Sequence, residues 1–546
     1  MKTGFRNLLM ILIILTLSGV LGYESSQLLD SLFHYRSPLR DNPPISGEAF
    51  NHPLTERVVI ILLDGLREDT AKNATLMPEL NRLRTQGASA SMTSHPPSYS
   101  EPGYATILTG AWPDINDGPA FNLEYEDIPV ITQETIFTTA KTAGLETAVF
   151  AYYWFEKLIP QDLVDRAFYT PLDDREGDRQ VVEAALPWLY DESLNLILIH
   201  IDQIDYAGHY EGGVMNNGWE EAARRSDALL EELAAGIDLS TTTLFIFSDH
   251  GQIDRGGHGG HDLVTLRELF VATGAGIRPA VYDPIQMVDI APTIAILLGT
   301  GLPSSAEGQP LVDMLALTET QKEEIKRLHY AQQANLIETY AAALGKKDIN
   351  QIRALFNSQA EIAILQKDYL FEGRLSRAII AGILLGAFLY ICFRKRSQEM
   401  LPILAGSIVF LIVFHLLYSV IPGLPYSFSI ITSPESFILD AIVKTFISYL
   451  LAAVTAGIII RIRHEPPPSL LTLNLKFTGF MMLVAGAPSV WYLVLYGVTI
   501  KTVLPDIGLL FRGMLSLVQV MTVGLSGLIL TGLSAIITAL VGHFRH

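Results

Sequence analysis

The chain has 546 residues, 49% of them hydrophobic, and a formal net charge of −19. The acidic excess lies in residues 1–377, because residues 378–546 carry ten Lys or Arg against five Asp or Glu, and this argues against a nucleic-acid-binding face. The single cysteine, Cys392, lies in an apolar stretch, which excludes intrachain disulfides, thiolate zinc sites and cysteine catalysis in the soluble part.

An apolar segment opens the chain. Residues 8–21 follow Lys2 and Arg6, and their number suits either a signal peptide or a membrane anchor. No convincing cleavage site of small residues follows, so we expect residues 1–24 to form an uncleaved signal anchor. Residues 25–54 contain several prolines and no clear periodicity, which predicts a linker.

Strand and helix patterns alternate from Arg57 onward. Continuous aliphatic runs predict buried strands, and apolar residues three or four apart predict helices. We expect strands over 58–63, 147–150, 194–201 and 243–247, and helices over 77–86, 132–143, 180–190 and 219–235. This alternation predicts an α/β domain over residues 55–312, with a mostly parallel sheet flanked by helices. Ligands of such sheets gather at the carboxyl ends of the strands.

The first predicted strand ends in Asp64, a carboxylate that can bind a metal ion. Farther along the chain, Ser100 precedes Glu101 and Pro102 and can act as the N-cap of a helix. A serine oxygen there would lie among free backbone N–H groups that stabilise an oxyanion or a bound phosphate. Ser100 is therefore the candidate nucleophile, with Ser98 as its rival.

Asp205 and His209 stand four residues apart beyond the third predicted strand. A carboxylate and an imidazole at this position fit a metal site. His200 and Asp202 are alternative ligands in the same segment.

The motif Asp249-His250-Gly251 directly follows the fourth predicted strand and is the most specific part of the sequence. Adjacent Asp and His side chains after a buried strand are costly unless they are paired or bind a metal. The glycine-rich segment beyond them can fold His258 back over the same centre, and His261 could replace it. A ligand set of oxygen and imidazole groups suits zinc or manganese.

These motifs resemble the alkaline phosphatase superfamily, in the branch of type I phosphodiesterases, nucleotide pyrophosphatases and membrane ethanolamine-phosphate transferases. The resemblance covers roughly residues 56–312, and the Ser-Asp-His-Gly and Gly-His-Gly-Gly elements are its most specific parts. It implies two divalent metal ions, most often zinc, and in-line attack by Ser100 on phosphorus to give a phosphoserine. The implied ligands are Asp64, Ser100, Asp249 and His250 for one ion, and Asp205, His209 and His258 for the other.

Two departures from the patterns of related enzymes restrict the expected class of substrate. Sulfatases of this fold need an Arg four residues after the nucleophile position, and Ser100 has Tyr104 there instead. No Arg close in sequence to Ser100 is placed to clamp a phosphate monoester, which favours diesters, although Arg67 could fold back into the site. Many phosphodiesterases of the branch have threonine where this chain has Ser100, so the subclass stays open.

The rest of the chain is predicted to be helical. Residues 313–376 form a predicted helical linker, and residues 377–546 a transmembrane domain of about five helices. The expected spans are 378–393, 401–421, 437–460, 477–498 and 514–541. Basic residues at Lys2, Arg6, 394–396, 461, 463 and 545 flank one side of these spans, which places the catalytic domain outside the cytoplasm in a multi-pass protein of the cell membrane.

Polar residues interrupt two of these spans. Charged side chains inside a membrane are often functional, and here the notable ones are Asp440 and Lys444, with His415 nearby in the chain. Because Asp440 and Lys444 are four residues apart, they can also simply pair with each other.

The sequence therefore predicts a membrane-bound two-metal phosphodiesterase or phosphotransferase. Its expected partners are membrane lipids and a phosphodiester, lipid-linked or phosphoethanolamine substrate, and nothing indicates a protein partner. The alternative is a lipid-handling or transport protein whose outer domain is regulatory; a broken ligand set would favour it.

Overall fold

The computed structural model describes residues 2–346, 357–393, 400–462 and 470–543. The chain divides into two compact units. The α/β unit consists of Leu32–Tyr369 with Lys501–Leu504, and the helical unit consists of Met1–Ser31, Leu370–Ile500 and Pro505–His546. The predicted limits of the individual domains and linkers stay predictions.

A mixed sheet forms the centre of the α/β unit. Its strands are β1 (Arg57–Leu63), β2 (Ala88–Thr93), β3 (Glu146–Tyr152), β4 (Arg166–Thr170), β5 (Leu194–Ile201), β6 (Thr242–Phe247), β7 (Arg267–Gly274), β8 (Ala280–Val281) and β9 (Ile285–Gln286). The order across the sheet is β4-β3-β5-β1-β6-β7-β2-β8, with β9 also paired to β2. Only β7 runs antiparallel to its neighbours within the described residues, so the prediction of a mostly parallel sheet is confirmed.

The α-helices are described here in chain order across both units. They are α1 (Lys2–Phe33), α2 (Glu68–Ala71), α3 (Pro78–Gln86), α4 (Ser100–Thr109), α5 (Pro113–Asn116), α6 (Ile136–Thr142), α7 (Phe155–Leu158), α8 (Arg175–Leu189), α9 (Gln203–Tyr210), α10 (Asn217–Ala235), α11 (Ile290–Leu298), α12 (Glu319–Ala343), α13 (Ser358–Phe393), α14 (Met400–His415), α15 (Pro434–Ile462), α16 (Leu470–Tyr496) and α17 (Ile507–His543).

Strand β1 lies in the middle of the sheet because both of its faces are apolar. All seven of its residues are buried, with Val58 and Ile60 in the core on one face and Val59 and Ile61 in the core on the other. Burial on both faces is what the continuous aliphatic run predicts. The strand pairs with β5 on one side and β6 on the other, so the loops after these three strands leave the sheet at one edge.

Six helices are long and apolar enough to cross a membrane, and they correspond to the six predicted segments. They cover Asn7–Phe33, Ser358–Tyr390, Met400–Val420, Pro434–Ile462, Leu470–Tyr496 and Ile507–Ile536. This composition is that of a multi-pass membrane protein. The basic residues at 394–396, 463 and 545 that support the predicted orientation lie outside the described residues.

The helical unit has a core of its own that α1 helps to build. Met10 and Ile14 are buried in the same cluster as Ile403, Tyr449 and Met481 from later helices. The predicted helical stretch over 313–376 is interrupted, since α12 ends at Ala343 and α13 begins at Ser358.

Candidate metal centre

Three carboxylates meet at the edge where β5, β1 and β6 end. Asp64 follows β1 directly, Asp249 lies two residues beyond β6, and Asp205 lies in α9, which begins two residues after β5. Asp64 and Asp249 are almost completely buried. The strand order therefore brings together residues that are up to 185 positions apart in the sequence.

Ser100 and His250 lie between two of these carboxylates. Ser100 Oγ is 3.1 Å from His250 Nε2. The same nitrogen is 3.5 Å from Asp64 Oδ1 and 3.4 Å from Asp249 Oδ2. The prediction that Ser100 is the helix N-cap is wrong by one position, since Tyr99 is the N-cap and Ser100 is the first residue of α4. The extended backbone at Tyr99 ends before Ser100, so the serine side chain enters the site from the first helical turn.

The predicted ligands of the second ion lie beside those of the first. His258 Nε2 is 2.9 Å from His209 Nε2 and 3.5 Å from Asp205 Oδ1, and Asp205 Oδ2 is 3.4 Å from His209 Nε2. The rings of His250 and His258 stack with their centroids 3.9 Å apart, which joins the two groups. His258 Nδ1 lies 2.9 Å from the carbonyl oxygen of Ser98, which fixes the orientation of its ring.

The electrostatics of this centre suit bound cations. Burial, followed by the charges of Asp64 and Asp205, raises the pKa of Asp249 well above its ordinary value. Asp64 Oδ1 and Asp249 Oδ2 are buried and accept no hydrogen bond within the described residues. Buried carboxylate oxygens without a hydrogen bond are costly, and a divalent cation bound between these two oxygens would remove that cost.

Ligand atoms in three groups lie close enough to share a metal ion. Each group holds its atoms within 4.8 Å of one another, and the groups are Asp64-Asp249-His250, Asp205-His250-His258 and Asp64-His200-Asp202. Five of the predicted ligands thus converge, namely Asp64, Asp205, Asp249, His250 and His258. His209 belongs to none of the three groups, although its Nε2 lies 2.9 Å from His258 Nε2, and the assignment of each ligand to a particular ion stays a prediction. Burial, followed by the charge of His250, lowers the pKa of His258 well below its ordinary value, so its imidazole stays neutral and free to coordinate.

Residues 58–300 match the sequence model of the family described as type I phosphodiesterase / nucleotide pyrophosphatase. The matched segment lies within the α/β unit. Among curated relatives, the catalytic subunit of human GPI ethanolamine phosphate transferase 2 is 24% identical over 299 residues, covering 51% of this chain and 30% of the relative. The catalytic subunit of GPI ethanolamine phosphate transferase 3 from Mus musculus is 23% identical over 340 residues, covering 55% and 31%. The chain thus spans about a third of the length of these relatives.

Solved structures with some likeness to this chain include two hydrolases. Murine ectonucleotide pyrophosphatase / phosphodiesterase 5 is 14% identical with a TM-score of 0.41, covering 48% of this chain and 100% of that one. The phosphonate monoester hydrolase from Silicibacter pomeroyi is 15% identical with a TM-score of 0.36, covering 48% and 78%.

Two further residues lie beside Asp64 in the α/β unit: Tyr104, to which the sequence analysis gave no role at the site, and His200, which it named as an alternative metal ligand. Tyr104 donates a hydrogen bond to Asp64 Oδ2, and His200 Nε2 lies 3.0 Å from the same oxygen. Burial, followed by the charge of Asp64, keeps the pKa of Tyr104 well above its ordinary value, so the phenol remains a donor. Tyr104 is four residues after Ser100 and therefore shares its helix face, which is the signal that could have identified it.

Replacing Tyr104 with Phe should lower the affinity for metal by about tenfold, the lower end of the effect seen when residues that orient a metal ligand are changed. The phenol ring packs on Phe155 with centroids 4.4 Å apart, and Phe preserves that contact, so stability should change little. Competition with a chelator measures the affinity. Tyr282→Phe, which loses only a hydroxyl bound to the Arg278 carbonyl, is the control. Equal metal affinity in both variants would contradict a positioning role for Tyr104.

Gln252 holds Asp205 in place. Its Nε2 donates to Asp205 Oδ1 at 2.6 Å, and its Oε1 accepts from the backbone N–H of Gly257 at 3.0 Å. The amide is packed directly against α9, because a Cβ atom at Gly208 would lie 1.8 Å from Gln252 Oε1. A glycine is thus required in this helix for the side chain of Gln252 to reach its partners.

We expect Gly208→Ala to weaken metal binding by about 10- to 100-fold, because the new methyl group displaces Gln252 from Asp205. The intrinsic helix propensity of Ala offsets part of the strain. The informative measurement is a double-mutant cycle with Gln252→Ala. If the amide is the element that Gly208→Ala displaces, the double variant should bind metal as Gln252→Ala does. Fully additive losses would show that the methyl group acts by another route.

The structure also shows where the alternative site residues from the sequence analysis lie. Ser98 Oγ lies 3.2 Å from the Gly260 carbonyl oxygen and 3.0 Å from Thr265 Oγ1, and it accepts a hydrogen bond from Gly259, so Ser98 supports the glycine-rich loop. His261 belongs to none of the three ligand groups found among the described residues. Arg67 does not fold into the site, because its guanidinium pairs with Asp69 and Asp254 at 2.6 and 2.7 Å.

Proposed function

We propose that the phosphodiesterase domain is the catalytic part of a membrane-bound, metal-dependent phosphotransferase or phosphodiesterase that acts through a phosphorylated Ser100. The observation that carries this proposal is the position of Ser100 Oγ, 3.1 Å from His250 Nε2 and at the first turn of a buried helix. A hydroxyl placed among metal-type ligands at a helix N-terminus is suited to attack phosphorus.

Two divalent ions, zinc in preference to manganese, fit the oxygen and imidazole donors of this centre. The residues that would hold them are Asp64, Ser100, Asp249 and His250 for one ion, and Asp205, His209 and His258 for the other. Bound ions would supply Lewis-acid stabilisation of the charge on the transferred phosphoryl group and would lower the pKa of a coordinated hydroxyl.

Ser100 Oγ gives up its proton and forms a bond to phosphorus while the ester oxygen on the opposite side departs and takes up a proton, which leaves a phosphoserine that still carries the second ester group of the diester. Water or an acceptor hydroxyl then attacks the same phosphorus, breaks the bond to Ser100 Oγ and restores the serine. Asn122 lies beside the first turn of α4, where its Oδ1 accepts a hydrogen bond from the backbone N–H of Glu101 at 3.0 Å. Its Nδ2 would then be a candidate donor to a phosphate oxygen.

The proposed substrate is a phosphodiester that carries phosphoethanolamine and is linked to a lipid. Arg67 is held by two carboxylates and is therefore not free to clamp a monoester dianion, which supports the choice of a diester. The names of the curated relatives support ethanolamine phosphate as the transferred group. The apolar helices would keep the chain in the bilayer that holds such a substrate, and the basic flanks in the sequence support an orientation with this domain outside the cytoplasm.

The full chain, purified in detergent and loaded with zinc or manganese, should hydrolyse bis-p-nitrophenyl phosphate faster than p-nitrophenyl phosphate. It should also release or transfer the labelled headgroup of a phosphatidylethanolamine. Acid-stable phosphate on Ser100 after quenching would identify the intermediate by mass spectrometry. A strong preference for the monoester would exclude the diester assignment, and a complete lack of turnover in the metal-loaded chain would favour a regulatory domain.

A further inference from the structure

The first turn of α4, which carries Ser100, depends on another segment of the chain for its backbone hydrogen bonds. The N–H groups at the start of a helix have no acceptor within the helix itself. The side chain of Tyr99, the N-cap residue, accepts none of them, and Pro102 has no N–H to donate. Glu101 is completely buried, so solvent does not replace the missing acceptor. The N–H of Glu101 therefore needs an acceptor from elsewhere in the fold.

A neighbouring segment supplies that acceptor, and Glu101 bonds to the same segment in return. Asn122 Oδ1 accepts a hydrogen bond from the backbone N–H of Glu101 at 3.0 Å, and Glu101 Oε1 accepts one from the backbone N–H of Leu123 at 3.1 Å. The ring of Tyr99 packs against that of Phe121, with centroids 5.1 Å apart. We call these five residues the clasp. Each side chain of its polar pair satisfies the backbone of the other segment, as the two residues of a capping box do within one helix.

The clasp determines the orientation of the Asn122 amide. A backbone N–H can only donate, so the atom of Asn122 that meets the N–H of Glu101 is Oδ1 and not Nδ2. The bond from Leu123 to Glu101 holds the adjacent backbone, and a movement of this segment away from α4 would break both bonds. The two bonds thus fix the position of the Asn122 amide relative to the helical turn that carries Ser100.

The segment that bears Asn122 is also fixed at its other end, by Asp117. This carboxylate is completely buried and accepts hydrogen bonds from the Ser37 N–H at 2.9 Å, from Thr132 Oγ1 at 2.8 Å and from Arg36 Nε at 2.9 Å. Charge-assisted bonds of this kind are among the strongest that side chains form. Glu101 therefore connects the first turn of α4 to a firmly held part of the fold.

The burial of Glu101 is unfavourable for stability by itself. Its Oε2 is buried and has no hydrogen-bond partner among the described residues. A buried polar atom without a partner costs free energy, so an apolar side chain would suit this position better if packing alone mattered. The hydrogen bond that Glu101 does make goes to the segment beside the proposed nucleophile, and this points to a role in positioning.

We infer that Glu101 is a positioning residue for the reaction of Ser100. Through Leu123 it holds the clasp closed, and the closed clasp fixes both the turn that carries Ser100 Oγ and the amide of Asn122. Glu101 belongs to none of the three metal-ligand groups found among the described residues, so it acts on geometry and not on metal binding. This inference rests on the function proposed above, because it gives Glu101 a part in that reaction.

The test compares variants of the full chain, purified in detergent and loaded with zinc. Glu101→Ala removes the acceptor for the Leu123 N–H, and Glu101→Gln keeps an acceptor on a side chain of the same length. Glu307→Ala is the matched control, because this buried glutamate lies beyond the other end of α4 and its Oε2 accepts the backbone N–H of Trp112 at 2.8 Å. It loses a hydrogen bond of the same kind without touching the clasp.

The kcat for bis-p-nitrophenyl phosphate should fall about 10- to 100-fold in Glu101→Ala, since a displacement of about 1 Å in a reacting group can cost that much. Glu101→Gln and Glu307→Ala should stay close to wild type, and all three variants should hold as much zinc as wild type does. Hydrogen exchange followed by mass spectrometry should show faster exchange at Leu123 in Glu101→Ala than in Glu101→Gln. If Glu101→Ala does not fold, Glu101→Asp supplies the same test, because its carboxyl group is one methylene too short to reach Leu123.

A double-mutant cycle with Asn122→Ala tests the route of the effect. If Glu101 acts through the clasp, the double variant should have the kcat of Asn122→Ala alone. Fully additive losses would overturn the inference, and so would an equal loss of activity in Glu307→Ala. Faster exchange at Leu123 without a fall in kcat would show that the clasp is only structural.

Failure of the proposed function would give a different result. A wild type that hydrolyses no diester would remove that function, whereas an active wild type with an equally active Glu101→Ala would remove only the role of Glu101. With an inactive wild type, inorganic orthovanadate is the probe of the site. Its affinity for the zinc-loaded chain should fall in Glu101→Ala and not in Glu101→Gln, and equal affinity in both variants would overturn the inference.

Discussion

Replacing Ser100 with Ala should abolish phosphoryl transfer while leaving metal binding largely intact. Loss of a nucleophile removes the covalent route, and the expected fall in kcat is on the order of 10³-fold or more. The carboxylate and imidazole ligands remain, since Asp249, His250 and Asp64 contact one another without help from the serine. Steady-state kinetics with a diester, together with metal content measured on the same preparation, test both parts of this prediction.

Ser98→Ala is the matched control for that experiment. Ser98 is a buried serine two positions away, and its hydroxyl bonds to the glycine-rich loop. Its replacement should cost about 1 kcal/mol of stability, the usual value for a lost hydrogen bond, and should preserve turnover. Activity that survives in Ser100→Ala and disappears in Ser98→Ala would transfer the role of nucleophile to Ser98.

Asp249→Asn should lower metal affinity by about 100-fold or more and should raise the stability of the metal-free protein at neutral pH. The first effect follows because a ligand is lost, and even residues that only orient ligands change affinity 10- to 100-fold. The second follows because burial and the charges of Asp64 and Asp205 raise the pKa of Asp249 on folding. A carboxyl group whose pKa is raised by folding destabilises the protein at every pH above its unfolded pKa of about 3.9.

Thermal unfolding with and without zinc measures both effects. In metal-free buffer the variant should unfold at a higher temperature than wild type at pH 7, and the difference should vanish near pH 3, where both states are protonated. At a metal concentration of about 100 times Kd the wild type should gain about 2.7 kcal/mol, and the variant should gain far less. Asp289→Asn is the control, because this buried carboxylate bonds the Gln286 and Gln309 N–H groups and contacts no site residue. A metal-free Asp249→Asn protein less stable than wild type would show that the carboxylate is structural.

Much of the sheet follows from local sequence. Strands β1, β5 and β6 are continuous aliphatic runs buried on both faces, and such runs have few other stable conformations in a soluble domain. Strand β2 gives no such signal, because its sequence ASASMT is short and rich in small polar residues. It is stabilised by pairing with β7, β8 and β9, which are distant in sequence. The order of the strands across the sheet also depends on contacts between segments that are far apart in the sequence.

The metal centre likewise has features that local sequence predicts and features that depend on contacts between distant segments. The residue types and their positions after strands predict which side chains converge, since parallel strands end at one edge of the sheet. The supporting residues depend on packing that no local pattern encodes. Gln252 reaches Asp205 only because Gly208 leaves room in α9, and His200 reaches Asp64 only because β1 and β5 are neighbours. The side chains that converge at the metal centre could therefore be predicted from the sequence, and the residues that orient those side chains could not.

The contribution of α1 to the core of the helical unit has a consequence for biosynthesis. Met10 and Ile14 pack with residues from helices that begin near position 400 and end beyond position 520. At a translation rate of about 5–20 residues per second, α1 must wait roughly 20–100 s for those neighbours, and most of the α/β unit is made in that interval. During that interval α1 has an uncovered face in the bilayer, which a membrane chaperone or a neighbouring protein could occupy. Residues 32–369 of the α/β unit are thus synthesised before any of these neighbours of α1.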